Sequence, residues 1–163
     1  MPTLDAALES VELTPDTGLS LELTRVIAAP RARVFDAWTR PQTIRQWFGP
    51  EGFTTPLVNT DPKPGGPYEI HMEGPKPGAG EVQRKSAVTG SYTKVNPFDL
   101  LQFTWSASWS PDEVSLVTIH LRDVEGGTEL RLVQERFASE QSCQAHAQGW
   151  IGPLAKLAGV LEG

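Results

Sequence analysis

One long amphipathic helix, closing a chain otherwise dominated by strand signals, is the feature that most constrains this fold. Cys143, Ala147, Trp150, Leu154, Leu157 and Leu161 recur at steps of three and four, the stripe of a helix with one buried face. The spacing predicts a helix from about Glu140 to Leu161, capped by Ser139 and roughly 33 Å long at 1.5 Å per residue. Pro153 lies inside it, where the missing N–H predicts a kink or a local break. A lone helix cannot bury its own stripe. A curved antiparallel sheet is its natural partner, and a sheet wrapped around one helix leaves an interior pocket.

The rest of the chain supplies that sheet. Leu19, Leu21 and Leu23, with Arg25 in the same phase, alternate with Ser20, Glu22 and Thr24, which reads as a half-buried strand over Leu19–Ile27. Pro30 suits a first helical position, and Val34, Ala37 and Trp38 mark one face of a short helix after it. Pro41 starts a second, with Ile44, Trp47 and Phe48 as its apolar side and Gly49-Pro50 as its stop. Strands are then expected near Thr54–Asp61, Tyr68–Glu73, Lys85–Val95, Leu100–Trp105, Ser115–Asp123 and Thr128–Phe137. Pro62–Pro67, Asn96–Asp99 and Glu125-Gly126-Gly127 punctuate them. Gly74–Gly80 reads as a mobile loop, and no Gly-Lys-Ser/Thr follows to make it a phosphate cradle. The expected class is α+β. Residues 1–18 read as a polar extension with a helix-like Leu4–Leu8 and a Pro15–Gly18 turn, ahead of a single domain over 19–163.

Composition bounds the function. At 163 residues, 39% hydrophobic and 21% charged, the chain is an ordinary globular domain with room for a core and a cavity. It has no apolar run of the roughly 20 residues a membrane span needs, and its start lacks a signal peptide's basic and apolar regions. A cytoplasmic location away from membranes is expected. The net charge of −6 opposes a nucleic-acid partner, whose phosphates must be met by Lys and Arg. Arg31, Arg33, Arg40 and Arg45 gather around the first helices, as a solvated face or a surface for an acidic partner. Cys143 has no second cysteine to pair with and is expected to act as a small buried hydrophobe.

The pieces Ala29-Pro30, Val34–Trp38, Trp47–Pro50, Pro64-Gly65-Gly66, Gly90-Ser91-Tyr92, Pro97–Trp105, Gly127–Leu130 and Gly149-Trp150 occur in the order of a known group. The chain resembles the START-like superfamily with its helix-grip fold. More narrowly, it resembles the Aha-type activators of the 90-kDa heat-shock chaperone's ATPase. The resemblance implies a curved antiparallel sheet wrapped around a long C-terminal helix, with two short helices after the first strand. It also implies a cavity, because related proteins bind lipids, polyketides, plant hormones or antibiotics and a few catalyse cyclisation or hydrolysis.

If the apolar alternation faces that cavity, Tyr68, Ile70 and Met72 form one wall. Others come from Leu101, Phe103 and Trp105, from Val117, Ile119 and Leu121, and from Leu130 and Leu132. The terminal helix supplies His146, Trp150 and Leu154, while Trp38, Trp47 and Phe48 close one end. Gly149 removes bulk from the inner helix face. Such a lining, mostly apolar with a few placed polar groups, is what small-molecule sites use. Gln134 continues the inward phase of Leu132, either bonding a ligand or meeting solvent at the rim. His146 has the chemistry of a hydrogen-bonding partner or a base.

Glu69, His71 and Glu73 share a strand face, but alternate residues of a strand stand about 7 Å apart, too far for one metal ion. His120 points outward. No Gly-x-Ser-x-Gly nucleophile pattern is present, and no cofactor is expected. The expected function is binding of a small hydrophobic or aromatic molecule for carriage, sensing or sequestration, by a monomer or homodimer. The alternatives are a module that modulates a chaperone ATPase and a weak cyclase or hydrolase built on His146 with Gln134 or Tyr68.

Overall fold

The computed structural model describes residues 10–14, 19–75, 78–80 and 82–162. In chain order the elements are β1 (Ser10–Thr14), β2 (Leu19–Ile27), α1 (Arg31–Thr39), α2 (Pro41–Trp47), β3 (Thr54–Thr60) and β4 (Pro67–Glu73). There follow β5 (Lys85–Asn96), β6 (Leu100–Ala107), β7 (Ser110–Val124), β8 (Gly127–Phe137) and α3 (Glu140–Glu162). The strands form one antiparallel sheet in the order β1-β2-β8-β7-β6-β5-β4-β3. From β3 to β8 the chain is a simple meander. Only the α1–α2 connection breaks it, carrying the chain from β2 to the opposite edge.

Period-two alternation decides what the sheet buries. Leu21, Leu23 and Ile27 of β2, Ile70 and Met72 of β4, and Leu101, Phe103 and Trp105 of β6 are all buried. So are Val117, Ile119 and Leu121 of β7 and Leu130 and Leu132 of β8. The α3 stripe, from Cys143 through Trp150 to Leu161, lies against them. Each such side chain taken from water contributes about 1.5–3 kcal/mol. That is what holds α1 and α2, too short to persist alone.

Hydrogen bonds fix where those short helices sit. Trp47 Nε1 donates to the Ala37 carbonyl (2.9 Å), Thr60 Oγ1 to Thr39 (2.8 Å) and Thr128 Oγ1 to Ala29 (2.7 Å). Gly49 takes φ of +101° directly after α2, a turn that a side chain would strain. Ser139 Oγ accepts from Ser142 N (3.0 Å) and caps α3 as its sequence predicts. Glu113 of β7 holds the same end, accepting from Ala138 N (2.6 Å) and Ser142 Oγ (2.6 Å).

Several expectations need correction. Within the polar N-terminal stretch, Ser10–Thr14 forms an edge strand that local patterning did not single out, with Val11 opposite Leu23 and Leu13 opposite Leu21. The helix-like Leu4–Leu8 and the Pro15–Gly18 turn lie outside the described residues, as do Lys76 and Pro77 of the Gly74–Gly80 loop. Pro30 is the N-cap of α1, not its first residue, while Pro41 does open α2. Helix α3 runs unbroken through Pro153, although that residue gives no N–H to the Gly149 carbonyl. The parity of β8 also breaks. Leu21 pairs with Gln134 but Leu19 with Phe137, and Arg136 in between takes φ of +71°. This bulge returns Phe137 to the buried face.

Gly90 of β5 sits where two backbones meet. A Cβ there would lie 2.1 Å from the Thr104 carbonyl oxygen, which also accepts the Tyr68 hydroxyl (2.5 Å). Gly90→Ala is therefore expected to lower stability by about 1–3 kcal/mol, read as a shift of the urea midpoint at unchanged slope. An unshifted midpoint would mean that β6 is not held this close.

Candidate functional site

The space between sheet and α3 is divided by side-chain size. At the α1–α2 end the aromatic rings of Trp38, Trp47, Phe48, Tyr68, Tyr92 and Phe103 interlock. The Trp38–Trp47 centroids lie 4.7 Å apart, Tyr68–Phe103 5.4 Å and Tyr68–Tyr92 5.6 Å. Only about 20 Å³ stays open among them. Under the middle of α3 the residues are smaller, and a cavity of about 260 Å³ remains.

Its floor and inner walls are buried side chains: Phe48, Met72, Val88 and Trp105, with His146 and Trp150 from α3. Its rim is Pro50, Trp109, Ala145 and Gly149, all exposed, which opens it to solvent along one side of the helix. Gly49, Ser86 and Pro153 complete the lining. A Cβ built on Gly149 meets nothing within 4 Å. Glycine costs a helix about 0.5–1 kcal/mol relative to alanine, so the bare position maintains the opening at the helix's expense.

One polar chain crosses the core. Trp150 Nε1 donates to Gln134 Oε1 (2.8 Å), and Gln134 Nε2 donates to Ser115 Oγ (2.9 Å). Gln134 is fully buried, so it does not meet solvent, and it lies outside the cavity's lining. Its role is to orient Trp150, whose ring stacks among Trp105 (5.2 Å), Trp38 (5.8 Å) and Phe48 (6.3 Å). His146, 8% exposed, donates from Nδ1 to the Ser142 carbonyl (2.8 Å). Its ring lies between Phe137 (4.9 Å), Trp105 (6.2 Å) and Trp109 (6.3 Å).

The residues singled out from sequence therefore fall into separate groups. Phe48, Met72, Trp105, His146 and Trp150 line the cavity. Trp38, Trp47, Tyr68, Ile70 and Phe103 surround the small void instead, because their bulk fills that end. Val117, Ile119, Leu132, Gln134 and Leu154 line neither and are interior packing. Sequence reasoning passed over Gly49, Pro50, Ser86, Val88, Trp109, Ala145 and Pro153 as lining. The readable signal was smallness on an inward face, and for Trp109 an indole in a hairpin tip, 56% exposed.

Other candidates resolve into structure. His71 Nε2 does reach Glu69 Oε2 (3.2 Å) despite the spacing of their backbones, and Asn59 donates to the same carboxylate (2.8 Å). These bonds hold the Glu69 carboxyl below its usual range. No group of three potential ligands gathers among the described residues. His120 is half-buried on the outer face, where burial and then Arg131 lower its pKa. Burial, with Glu140 adding, pushes the Cys143 thiol up, away from thiolate chemistry. The arginines do not form one free face. Arg31 is clamped by Asp99 and Asp123, and Arg40 lies 3.5 Å from Asp36. No helix among the described residues is long and apolar enough to cross a membrane.

Residues 28–162 match the protein family described as Activator of Hsp90 ATPase homolog 1-like protein. Among solved structures, the chain is similar to a protein from Chromobacterium violaceum, at 27% identity over 88% of this chain and 98% of that one (TM-score 0.77). It is also similar to the AHSA1 protein from Silicibacter pomeroyi, at 26% identity over 88% and 97% (TM-score 0.74). A Mycobacterium smegmatis protein matches at 25% identity over 93% of each chain (TM-score 0.73). No curated protein matches the sequence.

Two measurements check this description. Gln134→Leu strands the Trp150 indole N–H and the Ser115 hydroxyl, and is expected to cost about 1–3 kcal/mol in chemical denaturation. Burial raises the pKa of both of the chain's tyrosines, with Tyr92 adding to Tyr68 and Asp61 to Tyr92. Phenolate absorbance is therefore expected to be absent in the folded protein at pH about 10 and to appear on unfolding. Because the unfolded chain gives up these protons first, stability falls as pH rises through the ordinary tyrosine range. A folded protein with normal tyrosine titration would refute the packed aromatic end.

Proposed function

The chain belongs to the Activator of Hsp90 ATPase homolog 1-like family, and from that premise we propose that it binds a small hydrophobic or aromatic molecule between β4–β6 and α3, as a carrier, sensor or sequestering protein. The observation that supports this reading is the 260 Å³ cavity with an apolar aromatic floor and a solvent-facing rim. Apolar cavities of about 150 Å³ accept benzene, so this one suits a molecule of about two fused rings. Trp105, Trp150 and Phe48 supply flat surfaces for it, and aromatic side chains lose little rotamer freedom on packing. Modulation of a chaperone ATPase is the reading the family's name suggests. It draws less support here, because Arg31 and Arg40 are engaged by acids of the same chain.

The test uses the bare helix position. Native mass spectrometry of protein purified gently from its own host is expected to show a small retained mass that leaves on denaturation. Gly149→Leu, which adds a bulky side chain at the cavity's rim, is expected to reduce that mass. Its melting temperature should stay equal to wild type or rise, because the glycine penalty is relieved. Undiminished retention of the same mass by the folded variant would place the ligand elsewhere and end the proposal.

A further inference from the structure

The cavity and the small void follow one another along the strands. On β4, Tyr68 and Ile70 border the void and Met72 borders the cavity. On β5 the same order runs from Tyr92 to Val88, and past the end of α2 it runs from Trp47 to Gly49. Alternate residues of a strand stand about 7 Å apart, so the two spaces are neighbours under one face of the sheet. Two side chains border both of them, Phe48 and Trp105. Their ring centroids lie 6.0 Å apart, and the Trp150 ring meets them at 6.3 Å and 5.2 Å. Aromatic rings at such separations are in contact. The three rings therefore wall off the inner end of the cavity.

Phe48 owes its place in that wall to its backbone. Its N–H donates to the Ile44 carbonyl (3.0 Å), and its own carbonyl accepts from Thr55 Oγ1 (3.0 Å). Gly49 follows with φ of +101°. These constraints hold the ring over the boundary and do not depend on the ring itself. Behind it, the void of about 20 Å³ has no room for a chain.

Resting on the ligand-binding reading above, we infer that Phe48, backed by Trp105, sets the inner limit of the site. The cavity accordingly takes a compact ligand of one or two rings and discriminates against a molecule with an extended acyl chain. A chain longer than the cavity must either break the ring wall or run out past the rim. The first gives up aromatic contacts, and the second leaves methylenes in water, where they gain nothing from burial.

Isothermal titration calorimetry with n-alkylbenzenes, from toluene to hexylbenzene, tests this limit. A cavity of about 150 Å³ takes benzene, so 260 Å³ leaves space for about three or four further methylene-sized groups. In the wild type, each methylene up to propyl- or butylbenzene is expected to tighten binding about fourfold; affinity then levels off. Phe48→Ala opens the wall onto the void and is expected to extend the rise by at least two members of the series. Phe48→Leu removes less volume and should extend it by one. Phe103→Leu, which enlarges the void but leaves the wall standing, should keep the wild-type limit. If Phe48→Ala does not fold, Phe48→Leu and the wild-type series decide. An unbroken rise to hexylbenzene in the wild type overturns the inference. So does a limit that stays put in a folded Phe48 variant, or one that Phe103→Leu moves as far. Each of these outcomes leaves the cavity reading intact, whereas no binding of any member by the wild type overturns both.

Discussion

The hydrogen bond from Trp150 to Gln134, continued to Ser115, determines how the helix lies on the sheet. Apolar packing alone is tolerant of rotation and sliding, since a leucine stripe finds contacts in several registers. A buried indole N–H is not tolerant. It must meet its acceptor within hydrogen-bond distance, or the full desolvation penalty is incurred. Gln134 is itself fixed by Ser115 on the neighbouring strand, so the rotation of α3 is referred to two strands at once. Trp150 then presents its ring to Trp105, Trp38 and Phe48, and Gly149 is turned to the rim. Glu113, gripping the start of the helix, sets its position along the axis.

Given that placement, residue size alone divides the interior. Tryptophan, tyrosine and phenylalanine from α1, α2, β4, β5 and β6 crowd one end and leave almost nothing between them. Under the helix the facing positions are Gly49, Ser86, Val88, Ala145 and Gly149, and the elements cannot close the distance because Trp150 and Trp105 hold them apart. The cavity is thus a product of rigid pillars with small residues between them, and it does not depend on any one side chain pointing away.

Most of the fold was legible in the sequence because alternation and the three-four stripe report burial directly. The strand positions, the two short helices and the terminal helix follow from those periods and from Gly and Pro punctuation, except that β7 starts at Ser110 rather than Ser115, because Ser110-Pro111-Asp112-Glu113 reads locally as a turn. β1 was legible too, in the alternation of Val11 and Leu13 with Glu12, but a five-residue strand after polar sequence is easily read as extension. The bulge at Arg136 was not legible, since nothing local marks an arginine with a left-handed backbone. The site was harder for a physical reason. Alternation says that Val117, Ile119 and Leu154 point inward, but inward is not the same as toward empty space. Cavity lining depends on what stands opposite, which is set by sheet curvature and helix rotation. Gln134 shows the same limit: its inward phase was readable, its partner on α3 was not.

The order of strands in the sheet also orders the protein's assembly. β2 is made early but pairs with β8, the last strand; until β8 exists, the short β1 is its only neighbour. On a growing chain the β3–β8 meander forms from local hairpins, whereas closure onto β2 joins residues as far apart as Leu19 and Phe137, the kind of non-local contact that slows folding. α3 follows β8 and docks last. The cavity beneath it therefore exists only once α3 is in place, and any molecule bound there would add its binding energy to the native state alone.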